Sequence, residues 1–521
     1  MAQVRVTDLT FSYEGSYDAV FENTSFSVDT NWKLGLIGRN GKGKTTLLNL
    51  LMGKYEYAGS IQSSVIFDYF PYKIPEEDLQ KTAEDLSQKW KPGVQLWQVL
   101  IQLDLVHMDP ECLFRPFGTL SWGERTRVML AVLFAAENEF LLIDEPTNHL
   151  DTEAREIIKA YLSQKKGFIL VSHDRDLLDA VIDHVLVLNR KTIEVQAGNF
   201  SSWQENKERL DAFALAENEK HLREIRKLKA AADRSSRWAE KNENTKIGFD
   251  PTKEHDRSIA TRSFIGAKTK KMQARVKSYE KRVDREIEEK EGLLKDIEQI
   301  ADLKIEPLVY HKEILVNAND LSIRYGENDP LFCGVRFQIR RGDRLVLSGK
   351  NGCGKSSIIK AILLKAGMLQ KDAAETELHV EGELTVASGL TISYVDQDTS
   401  FLKGSLTAFC RERNLNESIF LAILRQLDFN REQFAKDMTD FSEGQRKKVL
   451  IAASLLTPAH LYIWDEPLNY IDVFSRMQIE KLILQFQPTM LLVEHDVRFQ
   501  KTVGTYLLTL PGSYSTMIQK A

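Results

Sequence analysis

The chain carries one domain twice. LGLIGRNGKGKTTLLNLL (34–51) returns as LVLSGKNGCGKSSIIKAIL (345–363), FLLIDEPTNHLD (140–151) as LYIWDEPLNYID (461–472), and ILVSHD (169–174) as LLVEHD (491–496). The offsets are 311, 321 and 322 residues, so order and spacing are shared and the second copy must fold as the first does. Apolar, β-rich runs such as KLGLIG, EFLLID and GFILVS alternate with helix-length segments, the pattern of an α/β domain built on a buried sheet. The copies are expected over residues 1–200 and 308–521, the second beginning after Pro307.

Residues 201–307 differ in character. Leu215, Leu222, Ile225, Leu228 and Ala232, between Trp203 and Trp238, form one apolar stripe. Met272, Val276, Tyr279, Val283, Ile287, Leu294 and Ile297 follow a 3-4 rhythm suited to a pairing seam. Two helices of about 36 residues, each reaching roughly 50 Å at 1.5 Å per residue, predict an antiparallel helical hairpin with its tip at 241–263. From His221 to Arg285 there are 19 Lys/Arg against 9 Asp/Glu, while the whole chain has a formal charge of −5. A basic middle on an acidic body points to a polyanionic partner for the middle alone; a solvated helical face with chance bias is the alternative.

Other classes are excluded by what is missing. MAQVRVTDLT has no basic start followed by an apolar stretch, and no uncharged apolar run approaches the length of a membrane span, so a cytoplasmic protein without membrane contact is expected. Cys112, Cys333, Cys353 and Cys410 stand far apart, which argues against a zinc site or a disulfide framework.

The repeated motifs suit phosphate chemistry. GxxGxGK[ST] needs glycine because backbone N–H groups must close around phosphate oxygens at a helix N-terminus. The candidates are Gly38, Arg39, Asn40, Gly41, Lys42, Gly43, Lys44, Thr45 and Thr46, then Gly349, Lys350, Asn351, Gly352, Cys353, Gly354, Lys355, Ser356 and Ser357. Lys44 and Lys355 would reach the β and γ phosphates, and Thr45 and Ser356 would ligate Mg²⁺. Asp144 and Asp465, ending apolar runs, would hold Mg²⁺; Glu145 and Glu466 would polarise the attacking water. His173 and His495 follow the next strand, where an imidazole would be a candidate to contact the γ phosphate. Tyr13 and Tyr325 are candidates to stack on adenine, with plain packing as the rival reading.

LSWGER (120–125) and FSEGQR (441–446) each stand about 20 residues before their Asp-Glu pair. With the phosphate loop, the DEP element and the SHD element, they make both repeats resemble the ATP-binding cassette superfamily. The resemblance implies a monomer with intramolecular cassette pairing, in which the signature of one cassette closes over nucleotide held by the other. Ser121, Gly123 and Glu124 would serve the Lys355 site, Ser442, Gly444 and Gln445 the Lys44 site, with Asp151 and Asp472 at the interface. Departures from the family pattern predict unequal sites. Trp122 and Glu443 replace a signature glycine, Leu468 and Glu494 replace Thr and Ser, and Tyr72 stands where the second copy has the Mg²⁺-ligand candidate Gln397.

Two fused cassettes joined by a basic hairpin are similar to ABC-F proteins, which act on ribosomes. Chromosome-type ATPases insert their coiled coil within a cassette, and excision-repair ATPases need zinc cysteines. WKLGLIGRNGKGKTTLLNLL, KKGFILVSHDR, LAENEK, FIGAK and LLKDIEQIA resemble the Lsa-like and Vga-like antibiotic-resistance group. That resemblance implies binding in the exit site of the 70S ribosome with ATP bound, contact with 23S rRNA and P-site tRNA, and protection against lincosamides, streptogramin A and pleuromutilins. Lys246, Ile247, Phe249 and His255 are the tip candidates, and Lys227, Lys229, Arg234, Arg237, Lys268, Lys270, Lys271, Arg275 and Lys277 the phosphate-neutralising candidates on the shaft. A general translation factor that resolves stalled ribosomes, and a soluble ATPase subunit of a membrane assembly, are the alternatives.

Overall fold

The computed structural model describes residues 3–13, 19–39, 41, 43–136, 139–148, 150–188, 193–244, 278, 281–282, 307–368, 378–427, 429, 431–510 and 513–516. The first cassette contains β1 (Gln3–Phe11), β2 (Phe21–Asp29), β3 (Lys33–Gly38), β4 (Ala58–Gln62), β5 (Ile66–Phe70), β6 (Glu139–Asp144), β7 (Phe168–Val171), β8 (His184–Leu188) and β9 (Ile193–Ala197). The second repeats them as β10 (Ile314–Tyr325), β11 (Phe332–Arg340), β12 (Arg344–Ser348), β13 (Leu378–Val386), β14 (Ile392–Val395), β15 (Leu461–Asp465), β16 (Met490–Val493), β17 (Tyr506–Thr509) and β18 (Ser513–Thr516).

Each cassette has a three-stranded antiparallel sheet, ordered β2-β1-β4 or β11-β10-β13, and a six-stranded one, ordered β5-β6-β7-β3-β8-β9 or β14-β15-β16-β12-β17-β18. The central strands are parallel and only the last pair is antiparallel. Strands covered on both faces must be apolar throughout; Phe168–Val171 and Leu461–Asp465 are buried at every position. Register repeats as well. Phe70 pairs with Ile143 as Val395 pairs with Trp464, so Tyr72 and Gln397 each lie two residues past equivalent strand ends.

The carboxyl ends of β3, β6 and β7 gather Gly38, Asp144 and the approach to His173 at one edge, where open α/β sheets bind their ligands. The halves also share a core: Val473 of the second cassette belongs to a buried cluster of the first, with Phe474 and Met477 packed against it. Residues 1–203 and 300–521, holding both cassettes, form one compact unit; residues 204–299 form the other.

A 45-residue helix spans Phe200–Asn244. It is longer than the Trp203–Trp238 expectation at both ends and takes in residues 241–244, where the sequence pattern places the start of the tip loop. Ala239, Glu240, Lys241 and Glu243 favour helix, and neither Gly nor Pro interrupts before Gly248. The tip candidates Lys246, Ile247, Phe249 and His255, the seam candidates Met272, Val276, Tyr279, Val283, Ile287, Leu294 and Ile297, and Lys268, Lys270, Lys271, Arg275 and Lys277 lie outside the described residues.

Candidate nucleotide sites

Both phosphate loops turn on glycines that no other residue could replace without strain. Gly43 and Gly354 cap the following helices at φ 92° and 101°. A Cβ on Gly43 would lie 2.6 Å from Val20 Cγ1, and one on Gly354 2.7 Å from Phe332 Cε1. Lys44 Nζ donates to the Gly38 carbonyl at 2.7 Å; Lys355 Nζ donates to the carbonyls of Gly349 at 2.8 Å and Lys350 at 3.0 Å. Tyr13 OH meets Thr46 Oγ1 at 2.7 Å and Tyr325 OH meets Ser357 Oγ at 3.1 Å, so each candidate base-stacking ring is tied to its own phosphate-loop helix. Gly41 and Gly352 are open to solvent-side approach, with nothing within 4 Å of an added Cβ. Arg39 and Lys350 turn to the opposite cassette, Arg39 over the Phe474 ring at 6.0 Å and Lys350 to Glu153 at 2.6 Å. Cys353 sits beneath its loop, its Sγ 2.7 Å from where a Cβ on Gly349 would stand. Asn40 and Lys42 lie outside the described residues.

Past each strand end a glutamate adopts left-handed backbone, φ 50° at Glu145 and 47° at Glu466. Such conformations cost about 1–3 kcal/mol and cluster where geometry serves chemistry; their repetition in register marks a shared requirement. His173 Nε2 lies 3.3 Å from Glu145 Oε1, and His495 Nε2 lies 3.4 Å from Glu466 Oε1. The surroundings then diverge. Glu466 Oε2 accepts from Gln397 Nε2 at 3.0 Å and Asn469 Nδ2 at 2.7 Å, whereas Glu145 Oε2 accepts from the His173 N–H at 3.3 Å. Burial, reinforced by Asp144, pushes the Glu145 carboxyl up to about 8. Burial also pushes Glu466 upward, but His495, Lys355 and Lys447 outweigh it and hold that carboxyl below its usual value.

Mg²⁺ takes hard oxygen donors in near-octahedral array, few of them from protein. The second site fits: Asp465 has a buried oxygen, Oδ1, without a hydrogen-bond partner, and Ser356 bonds the same carboxyl. Burial raises Asp465 to about 6, so a cation there would restore its charge. Ser356, Asp465 and Gln397 would hold the ion, which would neutralise phosphate charge. In the first site Thr45 Oγ1 donates to Asp144 Oδ2 at 3.1 Å, but that oxygen also accepts from Tyr69 OH at 3.0 Å. Tyr72 is turned away: its hydroxyl donates to Asp68 Oδ2 at 2.6 Å and its ring stacks on Trp90 at 4.8 Å. Gln397→Ala is therefore expected to raise the Mg²⁺ concentration for half-maximal ATPase activity by roughly tenfold. Tyr72→Ala should leave that concentration unchanged, and a metal titration of both variants decides the matter.

Ser121 and Ser442 begin the signature helices Trp122–Leu133 and Glu443–Leu456 as N-caps in full capping boxes. Glu124 Oε2 accepts from the Ser121 N–H at 2.7 Å and Gln445 Oε1 from the Ser442 N–H at 3.0 Å, so both side chains are committed to the caps. An added Cβ on Gly444 would lie 2.6 Å from the Tyr470 carbonyl, while on Gly123 the nearest atom is 3.7 Å away. Asp151 caps its helix through the Ala154 N–H at 3.0 Å. Asp472 is fully buried and accepts from Lys448 Nζ and Ser475 Oγ, both at 2.9 Å. Burial opposes its ionisation, yet Lys448 and the Ser475 N–H hold it well below the usual carboxylate range. At the repeat position of Lys448, Arg127 instead donates to the carbonyls of Gly123 and His107. The Leu468 and Glu494 departures are linked, because Glu494 accepts from the N–H groups of Leu468 at 2.8 Å and His495 at 3.0 Å.

The cassettes meet across these elements. A cleft of about 530 Å³ is lined by Tyr325, Lys355, Ser356, Gln397, Glu466 and His495 of the second cassette, with Trp122, Leu150 and Arg155 of the first. Its size lies in the range of small-ligand sites. Beside the Lys44 site, Arg175 donates to Glu480 through both terminal nitrogens, one at 3.0 Å to Oε2 and the other to Oε1, and Arg498 Nη1 reaches Asp179 Oδ2 at 2.8 Å. Nothing in the sequence pattern singles out either pair, or Tyr69.

Residues 21–148 and 332–469, half of the chain together, match the ABC transporter family profile. The chain is 27% identical to the ribosome protection protein VmlR of Bacillus subtilis over 512 residues, covering 96% of this chain and 86% of that one. It is 26% identical to the ATP-binding protein Uup of Caulobacter vibrioides, covering 95% and 75%. Among solved structures, the archaeal ribosome recycling factor aABCE1, in complex with stalk protein aP1, superposes with TM-score 0.58 at 19% identity, covering 96% and 87%.

Proposed function

Because the chain belongs to the ATP-binding cassette family and is an ATPase of the ABC-F type, we propose that ATP closes its cassettes around the Lys44 and Lys355 sites and that the closed chain occupies the exit site of the cytoplasmic 70S ribosome. There the interdomain segment reaches toward P-site tRNA and the peptidyl transferase centre, and lincosamides, streptogramin A and pleuromutilins lose their hold. Glu145 and Glu466, aligned by His173 and His495, orient the attacking water against the terminal phosphate and take the water's proton in their ionised form, which His495 favours at Glu466 and burial opposes at Glu145. Hydrolysis then lets the cassettes part and the chain leave.

The helix Phe200–Asn244 carries this reading. It continues the chain out of the first cassette and exposes Lys220, Arg226, Lys227, Lys229, Arg234 and Arg237, a surface suited to phosphate backbones. Among the described residues no helix is long and apolar enough to cross a membrane. The similarity to the ribosome protection protein VmlR favours a protective role on the ribosome; the nearly equal similarity to Uup, which is named only as an ATP-binding protein, leaves a general translation factor as the second reading.

Expression in a susceptible bacterium separates them. The reading expects growth in lincomycin and tiamulin with the wild-type chain and none with Lys44→Ala/Lys355→Ala. Ribosome association without drug protection would favour the second reading. The shaft gives a separate expectation. Changing Lys227, Lys229 and Arg234 to Glu should flatten the slope of log affinity for 70S particles against log salt by about 0.7–0.9 for each phosphate no longer neutralised, measured by sedimentation at several ionic strengths.

A further inference from the structure

Trp122 begins the first cassette's signature helix, yet it lines the cleft of the second cassette's phosphate loop. Large apolar side chains are costly to leave in water, and Trp122 is 61% exposed. It is held rather than loose. The Arg125 guanidinium lies over its ring at 5.4 Å and is itself fixed by a 2.6 Å bond from Nη2 to the Gly118 carbonyl and by the Phe117 ring at 5.7 Å. Backed on one side, the indole borders a cavity whose other walls include Tyr325, Leu331, Asn351 and Lys355.

The repeat supplies the contrast. At an offset of 321 residues, Trp122 corresponds to Glu443, which accepts a hydrogen bond from Tyr470 of its own cassette. The Lys355 site thus receives a flat aromatic surface from the opposite cassette, whereas the signature that would serve the Lys44 site carries a carboxylate at the same position. Aromatic packing on a nucleoside stabilises binding, and a like charge beside phosphate weakens it.

We infer that Trp122 packs against the nucleoside of the nucleotide held at Lys355 and makes that site the tighter of the two. This rests on the nucleotide sites and not on the ribosomal reading, because a purified chain without ribosomes suffices to test it.

In the Glu145→Gln/Glu466→Gln background, equilibrium dialysis with radiolabelled ATP and Mg²⁺ should resolve a tight and a weak site. Trp122→Gly and Trp122→Glu should each weaken the tight site by roughly tenfold, whereas Trp122→Phe should largely preserve it. Of the seven tryptophans, Trp122 should account for the ATP-induced fluorescence change, which Trp122→Phe would abolish. Glu443→Trp should tighten the weak site, an arm that stands even if Trp122→Gly folds poorly. Unchanged affinities in Trp122→Gly and Trp122→Glu, or a fluorescence response that survives in Trp122→Phe, would overturn the assignment.

Discussion

The Glu145→Gln/Glu466→Gln chain is expected to hydrolyse ATP at no more than about one-hundredth of the wild-type rate and to remain on 70S ribosomes through a gradient run with ATP. The amide keeps the size of the carboxylate and can still meet His173 or His495, but it cannot take a proton from water. Binding and closure therefore persist while hydrolysis stops. The single variants should differ, because their surroundings do. Glu466 is fixed by Gln397, Asn469 and His495, whereas Tyr72 supplies the Lys44 site with no counterpart of Gln397. Glu466→Gln is accordingly expected to lower turnover more than Glu145→Gln. Phosphate release and co-sedimentation measure the two effects separately. Wild-type turnover in the double variant would remove the glutamates from the mechanism, and free sedimentation with hydrolysis abolished would remove the ribosome.

The legible part of this molecule is the part on which backbone geometry leaves no choice. Gly43 and Gly354 stand at positive φ against packed side chains, and only one residue type fits, so the phosphate loops declare themselves as a string of letters. Two copies in register add the Asp-Glu strand ends and the histidines. What escaped depends on partners that no motif or spacing rule connects, from 4 residues away for Tyr72 and Asp68 to 305 for Arg175 and Glu480. Arg175 reads as one more cation after SHD until the fold brings Glu480 to it. Trp122 reads as a missing glycine, and only the pairing of cassettes makes it a wall of the Lys355 cleft. The repeat alone aligns Tyr72 with Gln397, but the removal of Tyr72 from the site follows from Asp68 and Trp90, which no spacing rule connects to it.

Breaking the Arg175–Glu480 pair should be the most damaging single change at the interface outside the catalytic groups. Both side chains are buried, at 3% and 6% exposure, and no pseudo-symmetric pair repeats the contact. At the repeat positions Val497 and Lys159 line one small cavity together, so the Lys44 side of the interface is clamped by an ion pair that the other side lacks. Arg175→Leu would leave the Glu480 carboxylate buried without its partner, a loss of about 3–5 kcal/mol. Differential scanning fluorimetry should show the first unfolding transition falling by several degrees. Burial already pushes the Glu480 carboxyl up against the pull of Arg175, so the attraction does not fully offset desolvation. An apolar pair of similar volume should then serve as well: Arg175→Leu/Glu480→Leu is expected to recover most of the stability. If the double variant is as unstable as Arg175→Leu alone, the contact acts through hydrogen-bond geometry rather than charge burial. If Arg175→Leu melts like wild type, the clamp contributes nothing, and the two halves must be held mainly by Val473, Phe474 and Met477 against the first cassette's core.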